Sequence, residues 1–345
     1  MNKRKSKVSI KDIAEELNIS TTTISFIINK KAKNRISDEV IKKVEDYIEE
    51  VGYIPNSSAQ SLRTGKSKTI LYMVEDISDP FFSSIAKEME EIAFENGYKI
   101  IYCSTENKKE RALQLLSYFK DKQIDAFIIT PPDNFEDEIN KLISENHKVV
   151  LFDRHYEKSN HSYVVLDNYK SSKLSVEHLL QKGFKNIAFI GMNTDLSVIK
   201  EREEGYKHAI NNIGGQNFIM NVKFGDIKSS KAKSMIEAYL DENKNIDAIL
   251  FASNKLAILG LSVLKSKKIN IPDDIGVATF DDRELFEHHT PSISVLRQPV
   301  SLLAKELMNN TLRLLEKQSN SNNPFNIALQ GKFISRESTN RVVAS

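Results

Sequence analysis

A single cysteine stands in the 345 residues, which excludes a disulfide within the chain. That residue, Cys103, lies in the apolar run KIIYCS and reads as a small core side chain rather than a nucleophile or metal ligand. No stretch is apolar and long enough to cross a bilayer. At the amino end Asp12, Glu15 and Glu16 interrupt any run that could serve as a secretory signal. Catalytic signatures are missing too. There is no G-x-S-x-G, and the GKS at Gly65 to Ser67 has Gln60 where a phosphate-binding loop requires glycine, with no strand leading into it. The seven histidines do not fall at metal-ligand spacing, and the adjacent His288 and His289 cannot share one helical face. These absences point away from an exported protein, an enzyme and a metalloprotein, and towards a cytoplasmic chain with no membrane segment, cofactor or metal. With 40% apolar and 28% charged residues the chain is long enough for two or three domains with proper cores.

What is present is unevenly distributed. The chain carries a net charge of +2, yet in its first thirty-five residues nine cations (Lys3, Arg4, Lys5, Lys7, Lys11, Lys30, Lys31, Lys33 and Arg35) face three carboxylates, a surplus of six. A block of this kind is the electrostatic footprint of a protein that binds duplex DNA, because each neutralised phosphate releases condensed counterions. A solvated basic tail would need no ordered helices beside it, and here the pattern predicts them. Ser9 stands three residues before Asp12 in a capping-box arrangement, and Ile10, Ile13, Ala14 and Leu17 form one buried stripe. After Asn18 and Ile19, Ser20 can cap a second helix with Ile24, Ile27 and Ile28 inward and Thr22, Phe26 and Asn29 on the opposite side. A third helix follows Ser37, with Val40, Ile41, Val44 and Ile48 as its stripe and Gly52 as its stop. Residues 1–53 therefore read as an all-α helix-turn-helix headpiece. Residues 54–68 read as a polar connector in which Pro55 and Asn56 start a short helix, Ser57 to Leu62, too short to be stable alone.

From Thr69 the pattern changes. TILYMV, KIIYCS, DAFIIT and KVVLFD alternate with amphipathic stretches such as SIAKEMEEIAFENG, and the alternation repeats through NIAFIG, the stretch around Val222 to Phe224, DAILFAS and GVATFDD. Such text predicts an α/β region, residues 69–345, made of two doubly wound parallel-sheet lobes. Ligands bind such sheets beyond the carboxyl ends of the strands. Phe81 and Phe82, Asp153 and Arg154, Ser253 and Asn254, and Asp281 and Asp282 all fall at such ends. Carboxylates, a guanidinium, amides and an aromatic pair suit a polyhydroxylated ligand, whose hydroxyls take paired hydrogen bonds while a ring covers its apolar face. An aspartate after a strand also serves as a helix cap and an aromatic pair as core. Recurrence at equivalent places in two lobes favours a site.

In order and spacing, VSIKDIAEELNIS, GYIPNSSAQSLRTGKSKTI, DISDPFF, EREEGY, IPDDIGVATFDD, RQPVSLLAKEL and SRES resemble the LacI-type family of lactose and galactose repressor-like bacterial transcription factors, over nearly the whole chain. The resemblance implies lobes like those of periplasmic sugar-binding proteins, and a homodimer that reads a palindromic double-stranded DNA operator under control of a small effector, a sugar or sugar derivative. It places Ser20, Thr21, Thr22, Ser25, Phe26 and Asn29 at the DNA, with Asn56, Ala59 and Leu62 of the connector helix at the minor groove, where an apolar wedge can part a base step. It places Phe81, Phe82, Asp153, Arg154, Arg202, Ile227, Ser253, Asn254, Asp281 and Gln298 at the effector. The sequence departs from the family at three points. Phe26 stands where many members carry arginine, so the demand for guanine should be weaker there; packing of Phe26 into the headpiece is the alternative. The asparagine found by some members at position 253 is here at 254, leaving open which of the two faces the cleft. Ile227 replaces an aromatic residue and predicts a less aromatic wall on that side. Only TNRVVAS follows SRES, too short for a tetramer-forming heptad helix. A periplasmic sugar-binding protein would share both lobes but would need an export signal and no basic headpiece. An architectural DNA-binding protein would have no use for the two-lobed remainder.

Overall fold

The computed structural model describes residues 8–33, 35–53, 65–156, 161–227, 229–316 and 324–341. The chain divides into two compact units, residues 1–67 and 68–345.

In the first unit, helices α1 (Ile10–Leu17), α2 (Thr21–Ile28) and α3 (Asp38–Val51) surround buried Ile13, Ile24, Ile27, Ala32 and Val44. The start of α1 is a reciprocal capping box: Asp12 N–H donates to Ser9 Oγ at 3.3 Å, and Ser9 N–H donates to Asp12 Oδ2 at 2.7 Å. That hydrogen bond holds the Asp12 carboxyl below its usual range. Asn18, left-handed at φ 53°, turns the chain towards α2, which Ser20 caps through the Thr23 N–H at 3.1 Å. Ser37 occupies the cap position of α3 without a side-chain hydrogen bond, and Gly52 at φ 61° ends that helix. The short helix predicted over Ser57 to Leu62, with Asn56, Ala59 and Leu62, lies outside the described residues.

The second unit holds two six-stranded sheets. Lobe 1 contains β1 (Thr69–Val74), β2 (Lys99–Ser104), β3 (Ala126–Ile129), β4 (Lys148–Phe152) and β5 (Tyr163–Leu166), with helices α4 (Pro80–Glu95), α5 (Lys109–Lys120) and α6 (Glu136–Ser144). Lobe 2 contains α7 (Asn168–Gln181), β6 (Ile187–Asn193), α8 (Ser197–Asn212), β7 (Phe218–Lys223), α9 (Ser230–Glu242), β8 (Ala248–Phe251), α10 (Asn254–Ser266), β9 (Gly276–Phe280), α11 (Glu284–His288) and β10 (Ser294–Arg297). The chain then returns to lobe 1 with α12 (Val300–Glu316) and β11 (Asn326–Leu329), and ends in lobe 2 with β12 (Lys332–Ile334). The sheet orders are β11-β5-β4-β3-β1-β2 and β12-β10-β9-β8-β6-β7, so β4 of one lobe corresponds to β9 of the other. Alternation along β1 shows why the sheet is covered on both faces: Ile70, Tyr72 and Val74 join a core under α4 and α12, while Leu71 and Met73 join a second core under α5 and α6. Cys103 packs partly buried at the latter, its thiol pushed up to about 12 by burial.

The sheets are not wholly parallel, because β12 pairs with β10 antiparallel at the edge of lobe 2. A strand that arrives from the neighbouring lobe through a two-residue connection has no helix to reverse it, so the parallel rule for helix-linked strands does not govern it.

Candidate functional site

Two strand ends define the site. Asp153 follows β4 and Asp281 follows β9, the equivalent strands of the two lobes, and both take left-handed backbone conformations, φ 65° and 69°. This conformation is uncommon outside glycine but open to Asp and Asn. Both aspartates line one cleft between the lobes, of about 600 Å³ including its open mouth. Phe81, Phe82, Arg154, Arg202, Ser253, Asn254 and Gln298 line it with them.

Each side chain is held by an identifiable partner. Asp281 accepts from Gln298 Nε2 at 2.6 Å and from Asn254 Nδ2 at 3.2 Å, and Asn254 Oδ1 in turn accepts from Arg283 at 3.2 Å. Ser253 Oγ caps α10 by accepting from the Leu256 N–H at 3.4 Å. Of this neighbouring pair, Asn254 is therefore the one engaged with a cleft carboxylate. Arg202 is 3% exposed; its Nε donates to Asn168 Oδ1 at 2.8 Å, its Nη1 to the Ala252 carbonyl at 2.6 Å, and its guanidinium lies 4.0 Å from the Phe280 ring centre. The local cause is Gly205. A Cβ there would sit 2.2 Å from the Tyr169 carbonyl oxygen, so only glycine lets α8 approach α7 closely enough to set Arg202 beside Asn168. Burial lowers the Arg202 pKa against the pull of Asp281 and Asp153. Burial likewise pushes the Asp153 carboxyl up to about 6, although Arg154 and Arg202 oppose it. Phe82 is buried, and Phe81 stacks on Phe152 at 5.8 Å between centres, so the aromatic pair serves core and cleft at once.

Ile227 is not part of the cleft lining. It packs against the core of lobe 2, and Phe224, three residues earlier in a short 3₁₀ turn, lines the cleft instead. Phe224 thus puts an aromatic side chain on the side where the sequence predicts a less aromatic wall. Sequence reading also missed Glu75, Asp79, Leu196, Val198 and Lys255, all of them in the lining. Glu75 is 8% exposed, is ion-paired with Arg154 and accepts from Lys255 Nζ at 2.9 Å. Burial alone would raise the Glu75 carboxyl, but Arg154 and Lys255 hold it below its usual range. Chemically, the cleft offers buried carboxylates as acceptors, amides and cations as donors, and phenylalanine rings with Leu196 and Val198 as an apolar surface. That inventory matches a ligand with a ring of hydroxyls over an apolar face. Among the described residues no group of three or more His, Cys, Asp and Glu could hold a metal ion, and no helix is long and apolar enough to cross a membrane.

In the first unit, Ser20, Thr21 and Thr22 are exposed at the start of α2. Ser25, Phe26 and Asn29 are half-buried, and Asn29 Nδ2 donates to the Ser25 carbonyl at 2.6 Å and to Ser25 Oγ at 3.3 Å. Phe26 is absent from the side chains packed on the three-helix core; the Arg35 guanidinium lies 5.8 Å from its ring centre. Lys11, Lys30, Lys31, Lys33 and Arg35 are exposed, while Lys3, Arg4, Lys5 and Lys7 lie outside the described residues.

Comparison with known proteins places both units. Residues 67–334 match the family described as periplasmic binding proteins and sugar binding domain of LacI family, and residues 9–56 match bacterial regulatory proteins, lacI family. The chain is 32% identical over 333 residues to the HTH-type transcriptional regulator RegA of Clostridium saccharobutylicum, covering 96% of this chain and 99% of that protein. It is 28% identical over 331 residues to the ribose operon repressor of Halalkalibacterium halodurans, covering 96% and 97%. Among solved structures, the lac repressor dimer bound to operator and the anti-inducer ONPF superposes with a TM-score of 0.84 at 20% identity, over 97% of this chain and 99% of that one. The transcriptional regulator CelR in complex with cellobiose superposes at 0.70 and 20% identity, over 96% and 99%. At that identity the two structures speak to the fold.

Proposed function

The chain belongs to the LacI family of DNA-binding bacterial transcription regulators, and on that premise we propose that it is a repressor that binds a palindromic operator as a homodimer and is controlled by a carbohydrate bound between its lobes. The observation that carries the effector half is the pairing of Asp153 and Asp281, which end equivalent strands of the two lobes and line one cleft. Two acceptors on opposing lobes let one ligand hold both, so occupancy is coupled to the angle between lobes. The names of the ribose operon repressor and the CelR–cellobiose complex support a sugar. The DNA half rests on the exposed Ser20, Thr21 and Thr22 at the amino end of α2 and on the cations of the same unit. Their hydroxyls suit base edges and phosphates, while lysines and arginines supply the salt-dependent affinity. As a regulator of bacterial operators the protein acts in the cytoplasm. Asn56, Ala59 and Leu62 remain the proposed minor-groove contacts.

The test is selection of bound duplexes from a random pool, followed by a screen of mono- and disaccharides against the best site. A palindromic consensus whose affinity one sugar changes, and Asp281→Asn makes insensitive to that sugar, is the expected result. Binding that shows no sequence preference sinks the DNA half; a consensus indifferent to every sugar sinks the effector half.

A further inference from the structure

We propose that Glu75 and Lys255 form a clasp across the cleft that holds the two lobes together before any effector arrives. Glu75 follows β1 in lobe 1, and Lys255 is the second residue of α10 in lobe 2, 180 positions away in the chain. Their ion pair spans the same cleft that Asp153 and Asp281 line. The Glu75 side chain is 10% exposed and that of Lys255 34%, so the pair is shielded from bulk solvent on the carboxylate side. Arg154 anchors the other Glu75 oxygen and is itself held by Asn107 Oδ1 at 2.6 Å and the Pro131 carbonyl at 3.2 Å. The carboxylate is thus fixed to lobe 1 and presented to lobe 2.

Lys255 also occupies a place where a cation is locally disfavoured. At the start of α10 the unpaired N–H groups and the helix dipole repel positive charge. A residue that opposes its own helix is accounted for by a partner elsewhere, here Glu75, with Asp79 a further 4.0 Å contact. Other polar contacts join the lobes along the rim: Thr194 Oγ1 donates to Asp133 Oδ1 at 3.2 Å, and the His155 N–H donates to Ser197 Oγ at 3.2 Å. The clasp lies in the cleft wall itself, so an arriving ligand must bridge or displace it. The closed form is then populated in advance, and the fraction already closed sets the apparent effector affinity. This inference rests on the cleft being the effector site.

Pulsed electron–electron double resonance on the ligand-free full chain, with doubly labelled protomers diluted into excess unlabelled chain so that only distances within one protomer are read, tests it. With Cys103→Ser as background, spin labels on Glu110→Cys of α5 and Ser234→Cys of α9, both exposed, report the distance between lobes. Parent and Lys255→Arg should give one narrow distribution, and Lys255→Met should add a longer, broader population. A Lys255→Met distribution that superposes on the parent, with unchanged circular dichroism, overturns the clasp. Should that variant not fold, Glu75→Gln is read by the same criterion. No sugar enters the measurement, so failure of every sugar in the operator screen overturns the effector reading without altering this result.

Discussion

Asp153→Asn should make the protein more stable and less responsive, and the two effects have one cause. Burial raises the Asp153 carboxyl from 3.8 to about 6 in the folded chain, outweighing the opposing pull of Arg154 and Arg202. A carboxyl whose folded pKa lies above its unfolded value adds stability while protonated and loses it as pH rises between the two values. Ionised Asp153 at neutral pH therefore destabilises the fold by the shift of somewhat over two pH steps, about 3 kcal/mol at 1.36 kcal/mol each. The side chain is only 12% exposed, so solvent screening removes little of this. Asparagine tolerates the left-handed φ of 65° and carries no charge to desolvate. The variant should thus melt higher than the parent by roughly 2–4 °C per kcal/mol relieved. The gap should open from about pH 4, be nearly complete a little above pH 6 and stay level from there to pH 7.5. Differential scanning calorimetry of both proteins across that range measures it. In the same variant, loss of a charged acceptor should weaken the effector by roughly 10- to 100-fold, from the 1.5–3 kcal/mol of a hydrogen bond to an ionised group. A melting difference that does not change with pH, or that shrinks as pH rises, refutes the assignment of the destabilisation to this carboxylate.

Gly205→Ala should cost about 1–3 kcal/mol or more, because the added Cβ meets the backbone oxygen of Tyr169, which cannot rotate away; urea unfolding measures the loss, and an unchanged midpoint would show that α7 and α8 are free to separate. Ser9→Ala should destabilise the first unit by about 1 kcal/mol through loss of half the capping box, read as a lower midpoint in the thermal unfolding of α1 to α3. Phe26→Arg should create a preference for guanine at one operator position, about 1–3 kcal/mol of discrimination. Selection from random duplexes shows it, and an unaltered consensus would mean that position 26 does not reach the bases.

The elements legible in sequence were those whose burial pattern is set within the element. The continuous apolar run of β1 and the stripe of Ile10, Ile13 and Leu17 are of this kind, and the structure has both. The same holds for site residues defined by a strand end, such as Asp153 and Asp281. Short edge strands escaped: β12 has three residues and β11 four, and each is a strand only because a neighbouring sheet offers it a free edge. Glu75 and Lys255 escaped for a related reason. In VEDISDP and ASNKLAIL they read as an exposed loop acid and a helix lysine, and the contact that gives them meaning joins distant parts of the chain. Phe224 was displaced in the reading by Ile227 because a single 3₁₀ turn shifts which of two nearby residues reaches the cleft.

The placement of the site explains why a ligand there should move the lobes. The chain passes between them at Leu166 to Asn168, at Arg297 to Val300 and at Leu329 to Lys332. Two of these passages are stitched together by the Asp167 N–H, which donates to the Leu329 carbonyl at 2.8 Å. Two of the three passages also reach the cleft directly: Asn168 in the first holds Arg202, and Gln298 in the second holds Asp281. Hinges are a few residues at element ends that absorb backbone rotation while the lobes stay rigid. Here two such residues share hydrogen bonds with cleft side chains, so a ligand that competes for Asp281 also changes what Gln298 can hold. On the proposed function, lobe rotation and ligand recognition draw on the same few polar groups, and a substitution at Gln298 should alter the sugar response without altering the sequence of the selected operator.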